Sequence, residues 1–201
     1  MIFIKDKPLI GHVIERIKKA KTISRIVVLT SNQNSDLPII KYCKLKKIEC
    51  VKGSLQDVAS RYLKAIRLIK PLSFVRITAD SPTIDPNLID KLVKRYKKKN
   101  FDIVTNCEKR TFPKGQSVEI LKSKLLLSHY KNFKKKYYLE HLTSYFYSKK
   151  KMFKIYNLKN KNKYTKKNLS IDSKKDLNRY KVFLEKYKKT PLNWKLVYRS
   201  Y

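Results

Sequence analysis

Four short runs rich in branched apolar residues, RIVVLT (25–30), IECVKG (48–53), SFVRIT (73–78) and FDIVTN (101–106), recur along the first half of the chain. Their lack of polar alternation suits strands buried on both faces. Between them lie segments with apolar residues at helical spacing, at about 37–46, in SLQDVASRYLKAIRLI (54–69) and in NLIDKLVKRY (87–96). A helix between successive strands carries the chain back across the sheet, so the strands run parallel. The expected fold class is therefore α/β, a mostly parallel sheet with helices on both faces.

The flanking elements follow the same logic. Leu9, Ile10, Val13, Ile14 and Ile17 mark an opening helix from Pro8 to about Lys19, with Pro8 suited to its first turn. Ser54 and Asp57 have the spacing of a near capping box at the start of the 54–69 helix. Past Asn106 the rhythm breaks into the loop RTFPKGQ, a short strand SVEIL, helical segments near 122–132 and 138–149, and strands near FKIYNL and NLSID. This reads as a small α+β insertion. A last helix, about 173–188, precedes the tail TPLNWKLVYRSY, whose Trp194 and Tyr198 are expected to dock on the body. The length suits one domain over 1–190 with a tail at 191–201.

Charge is the compositional anomaly: 50 Lys+Arg against 15 Asp+Glu, a formal net charge of +35. Such a balance favours anionic partners, including nucleic acid, membrane surfaces and polyanions. Only nine of the cations are Arg, however, and Asn, Ile and Tyr are also abundant. A/T-rich coding alone loads a surface this way, and a reader of bases or phosphates would favour Arg. No specific nucleic-acid partner is expected. Cys43, Cys50 and Cys107 form no C-x-x-C pair, which suits a reducing, cytoplasmic setting. The apolar start at Ile2–Ile4 is interrupted by Lys5, Asp6 and Lys7, so neither a signal peptide nor a membrane span is read.

Scarce carboxylates gather in VRITADSPTIDP (75–86). Ligands of open parallel sheets bind beyond the carboxyl ends of the strands, and Asp80 lies just past SFVRIT. It is placed to hold Mg²⁺ with substrate phosphates, and Asp172, after the strand-like NLSI, is the candidate second ligand. Each has a plainer reading, Asp80 as a turn residue and Asp172 as the cap of the last helix; pattern alone leaves both open. Asp85, before Pro86, reads as a helix cap.

Five segments in order, GSLQDVASRYLKA, VRITADSPTIDPNLID, DIVTNCEKRTFPKGQSVEIL, EHLTSYFYSKKKMFKIYNL and SIDSKKDL, resemble the spore-coat polysaccharide biosynthesis F-type cytidylyltransferases, relatives of the synthetases of CMP-activated sugar acids. The resemblance spans roughly residues 7–185. It implies a Rossmann-like nucleotide-diphospho-sugar transferase fold and transfer of CMP from CTP to a sugar or sugar acid with release of pyrophosphate. By the same resemblance Asp80 and Asp172 match the Mg²⁺-binding and catalytic aspartates, and Gly53, Ser54 and Asp57 fall with Asp80 near the nucleotide. Arg110, Thr111, Pro113, Gly115 and Glu119 match the acceptor side, with Glu140 and His141 close by; a packing role for His141 remains open. A homodimer is one arrangement the resemblance allows.

The match departs from the family in places. Relatives begin with a strand and a Gly/Arg/Lys phosphate loop, and IKDKPLIGHVIERI corresponds to the segment just after it, so the strand and loop are expected to be lacking. The family's G-x-D-V-E becomes Gly115–Glu119 with Ser117 in place of the acid, and Lys174 and Lys175 follow Asp172. Activity of these residues is thus a question for experiment. Two other classes stand beside the transferase: a noncatalytic basic binder of nucleic acid or anionic glycan using the Lys runs at 97–99, 134–136 and 149–151, and a sugar-nucleotide glycosyltransferase of similar topology.

Overall fold

A computed structural model describes residues 1–187 and 192–201. A short antiparallel hairpin, β1 (Phe3–Ile4) with β2 (Lys7–Pro8), opens the chain. Helix α1 (Leu9–Lys18) follows, with Pro8 standing extended just before it rather than in its first turn. Next come β3 (Val27–Ser31), α2 (Leu37–Leu45), β4 (Glu49–Gly53), α3 (Val58–Ile69), β5 (Ser73–Arg76), α4 (Pro86–Lys98) and β6 (Ile103–Thr105). The alternation seen in the sequence is present, and β3 and β4 pair in parallel.

The second half fills in around it with β7 (Glu119–Lys122), α5 (Ser123–His129), α6 (Lys136–Glu140), α7 (Leu142–Ser148) and β8 (Ile155–Asn157). The larger sheet has the order β5-β7-β6-β8. β7 lies antiparallel to both β5 and β6, and β6 is parallel to β8. The chain is α/β as expected, but this sheet is mixed. No crossover helix intervenes between β6 and β7, so the loop from 106 to 118 turns the chain straight back and only antiparallel pairing is within reach. NLSID, expected as a strand, contributes only an isolated bridge between Asn168 and Lys114.

Both faces are covered. Val104 and Ile120 point to one side, into a cluster with Leu88 and Leu92 of α4. Their neighbours Ile103 and Leu121 point to the other, into a cluster with Leu63 of α3, Leu126 of α5 and Phe146 of α7. Period-two alternation within two short strands thus feeds two cores, and each large aliphatic side chain buried contributes about 1.5–3 kcal/mol. Helix α8 (Lys174–Lys186) ends at Tyr187, and the expected limit at 188 lies outside the described residues. The tail forms α9 (Trp194–Ser200), with Trp194 packed into the α4 cluster edge-on to Phe112. No helix among the described residues is long and apolar enough to cross a membrane.

Candidate active site

The turn after β5 brings Asp80 to the carboxyl edge of the sheet. Its Oδ1 accepts hydrogen bonds from Thr78 Oγ1 at 2.6 Å and Ser81 Oγ at 2.8 Å. Its carbonyl accepts from the Ile171 amide at 2.8 Å, which ties the turn to the segment carrying Asp172. Asp172 is 43% exposed, and its Oδ2 accepts from Asn168 Nδ2 at 2.7 Å, Ser170 Oγ at 3.1 Å and Lys114 Nζ at 3.5 Å. These bonds, that of Asn168 foremost, hold its carboxyl below the usual range against the opposing effect of burial.

The plainer reading of Asp172 fails, because Ser173 caps α8, accepting from the Asp176 amide. Every side-chain bond to Asp80 falls on Oδ1 and every one to Asp172 on Oδ2. Each therefore keeps one oxygen without a protein donor among the described residues. Two hard carboxylate oxygens on segments bonded to one another fit Mg²⁺, which takes one or two carboxylates and completes its shell with water and phosphate. Among the described residues no group of three or more His, Cys, Asp or Glu gathers. A cation here would thus rely on substrate oxygens as well.

Asp85, by contrast, is structural. It is 4% exposed; its Oδ1 accepts from the Asn87 amide, capping α4, and its Oδ2 accepts from the Trp194 amide.

In the segment expected near the nucleotide, the Gly53 carbonyl closes β4 by accepting from the Asn32 amide, and a Cβ at Gly53 would stand 2.8 Å from Arg61 Cγ. Glycine here makes room for that arginine. The capping box is shifted from expectation: Asp57, not Ser54, caps α3 by accepting from the Ser60 amide, while Ser54 Oγ accepts from the Asp57 amide. Asp57 Oδ2 also accepts from Tyr130 Oη, whose own ionisation is pushed up to about 12 by burial and by that carboxylate. Both Asp57 oxygens are engaged, so its role is to hold the segment.

The loop expected on the acceptor side closes against the Asp172 segment. Gly115 has φ +84°, and an added Cβ would come within 2.5–2.7 Å of the Leu169 and Ser170 backbone, so only glycine fits. Lys114 accepts the Leu169 amide on its carbonyl. Thr111 Oγ1 accepts from the Asn160 amide, and Pro113, buried, accepts the Gln116 amide on its carbonyl. Arg110 donates to Ser117 Oγ at 3.1 Å.

Glu119 is 3% exposed, with one oxygen bonded by Arg76 and the other by Tyr147 Oη at 2.6 Å. Burial pulls the Arg76 guanidinium down, but Glu119, together with Tyr62, more than offsets it and holds it charged. Glu119 therefore ties β7 to β5 and to α7. Glu140 is exposed, and among the described residues neither it nor His141 has a side-chain hydrogen-bond partner; His141 lies edge-on to Tyr137, at 4.8 Å between ring centroids.

Sequence reasoning missed Gln116, Lys114, Asn168 and Tyr147. Gln116 is wholly buried; its amide donates to the Thr83 carbonyl and its oxygen accepts from the Asp85 amide, locking the two loops together. Its position inside the quoted loop FPKGQ was the one available signal.

The chain is 32% identical over 188 residues, 92% of its length and 74% of the relative's, to an uncharacterized protein of Methanocaldococcus jannaschii. It is 24% identical over 176 residues to the spore coat polysaccharide biosynthesis protein SpsF of Bacillus subtilis, covering 85% of this chain and 71% of that one. A solved cytidylyltransferase from Leptospira borgpetersenii serovar Hardjo-bovis superposes with a TM-score of 0.87 at 28% identity, over 92% of this chain and 79% of that one. With the sequence model for cytidylyltransferases matching residues 1–198, the chain belongs to the cytidylyltransferase family.

Proposed function

We propose that this chain transfers CMP from CTP to a hydroxyl of a sugar or sugar acid in surface-glycan synthesis. The acceptor oxygen bonds to the α-phosphorus, the bond from that phosphorus to the bridging oxygen breaks, and pyrophosphate leaves as the hydroxyl proton is released. The observation that carries the reading is the Ile171–Asp80 backbone bond, which joins the segments of two aspartates that each keep one oxygen unpartnered.

Asp80 Oδ2 and Asp172 Oδ1 are the atoms that would hold Mg²⁺. Bound there, the ion supplies neutralisation of phosphate charge, which is most of what such transfers require. Gly53, Ser54 and Asp57 set the nucleotide-side segment. Arg110 and Lys114 set positive charge beside the acceptor loop, which favours an acidic acceptor. Thr111, Pro113 and Gly115 shape that loop, and Glu119 anchors the strand that follows it to Arg76 and Tyr147. Glu140 and His141 enter only as residues that an acceptor reaches from α6. A cytoplasmic setting suits a nucleoside-triphosphate substrate and three free cysteines.

The test is pyrophosphate release from CTP against a panel of neutral and acidic sugars, with Mg²⁺ and with chelator. The reading requires release that needs both divalent metal and acceptor, with acidic sugars preferred. Consumption of a sugar nucleotide in place of CTP would favour the glycosyltransferase reading.

A further inference from the structure

The end of the sheet remote from Asp80 carries a second feature. There Ser73, at the start of β5, pairs with Lys122, at the end of β7. The end of α3, the turn after it and the start of α5 enclose a hollow of about 590 Å³. Its apolar lining includes Ile66, Pro71, Leu72 and Leu127, with Leu72 93% and Leu127 45% exposed. Lys70 ends α3 in the left-handed region, and the Leu72 carbonyl accepts from the Ser123 amide at 3.0 Å, so the Leu72 backbone is pinned while its side chain stands in water.

Single exposed leucines need no explanation, but two lining one hollow with a charged rim do. Arg67, Lys70 and Lys124 form that rim, and among the described residues none makes an ion pair with a carboxylate. Lys122 is already matched by Asp102 and Asn100. A smaller hollow alongside adds Lys97, Lys98 and Lys99, and among the described residues no carboxylate lines either one.

We propose that this hollow docks an acidic peptide segment of a partner protein, which inserts an apolar side chain beside Leu72 and Leu127 and sets carboxylates against Arg67, Lys70 and Lys124. The apolar lining and cationic rim call for both features in one ligand. A polyphosphate or acidic glycan satisfies the rim but leaves the leucines wet. A flat bilayer rests on the rim and does not fill the concavity. Because the hollow lies at the amino end of β5 and Asp80 beyond its carboxyl end, the partner leaves the nucleotide edge open.

The test uses a fluorescein-labelled peptide of aspartates and glutamates around a Leu-Phe pair, followed by anisotropy at about 150 mM salt, where long-range attraction is screened. The same peptide with Ala-Ala in place of Leu-Phe and phosphatidylglycerol vesicles are run beside it. Leu72→Asp and Lys44→Ala each lower the net charge by one, and both sites are exposed; equal thermal midpoints confirm that both variants fold. The docking site requires saturable binding of the Leu-Phe peptide, weakened more than about 10-fold by Leu72→Asp and less than about 2-fold by Lys44→Ala, a contrast of roughly 1 kcal/mol or more. Equal binding of the alanine peptide, or equal weakening by the two variants, would reduce the site to bulk charge and overturn it. Vesicle binding lost in Leu72→Asp with peptide binding intact would overturn it in favour of a bilayer.

Discussion

The polar interior and the rim that carries Asp80 and Asp172 are built from the same residue types and treat them in opposite ways. In the interior both oxygens of each acid are matched: Asp85 by the Asn87 and Trp194 amides, Glu119 by Arg76 and Tyr147, and Asp90 by Lys21 and Thr22. On the rim each aspartate is held through one oxygen and keeps the other open. A buried carboxylate left unmatched is costly, so complete matching marks the acids that hold the fold. Half matching at an accessible edge fixes a side chain while leaving it a ligand to give.

The contrast predicts different failures. The largest stability effect belongs to Glu119→Ala, which strands the buried Arg76 charge and should cost about 3–5 kcal/mol in urea unfolding. A loss below about 1 kcal/mol with turnover abolished would move Glu119 to the substrate-contacting set. Asp85→Ala comes next: it leaves the Asn87 and Trp194 amides unpaired and should cost about 1–3 kcal/mol, with nucleotide binding by the folded fraction retained.

The smallest effect is in acid. Asp90 is held low by Thr22 and Lys21 against burial, and Asp172 is held low by Asn168 and Ser170. A carboxyl lowered on folding stabilises fully above its unfolded value, near 3.8 for both, and that contribution is lost as pH falls through the folded value. Asp90→Asn should flatten the acid limb of a stability–pH curve more than Asp172→Asn, because Asp172 is far better solvated. The reverse order would erase the distinction between interior and rim.

Much of this was legible in the residues. The alternation through 25–106 named β3 to β6 and the helices between them, and Asp85 before Pro86 read correctly as a cap. What stayed hidden depended on partners distant in sequence. SVEIL is visibly a strand, but nothing in it says that it wedges antiparallel between β5 and β6. The NLSID run looks extended, yet its register against Lys114 yields one bridge. Gln116 and Tyr147 look like ordinary polar residues until burial forces each to find a fixed partner. The cap reading of Asp172 fell to Ser173, whose hydroxyl takes the α8 amide one residue later than the pattern allowed. Asp57 displaced Ser54 at α3 for the same reason: the first turn began later than the apolar spacing implied.

We propose that Asp80, which ties its own turn through Oδ1, gives its other oxygen to a metal ion and carries little of the stability of the fold. Asp80→Ala, assayed for pyrophosphate release from CTP with Mg²⁺ and an acceptor that the parent uses, tests it most directly. The account predicts turnover lower by about 1,000-fold or more, with a thermal midpoint within about 2 °C of the parent. Near-parental turnover, or a loss that tracks unfolding, would contradict it.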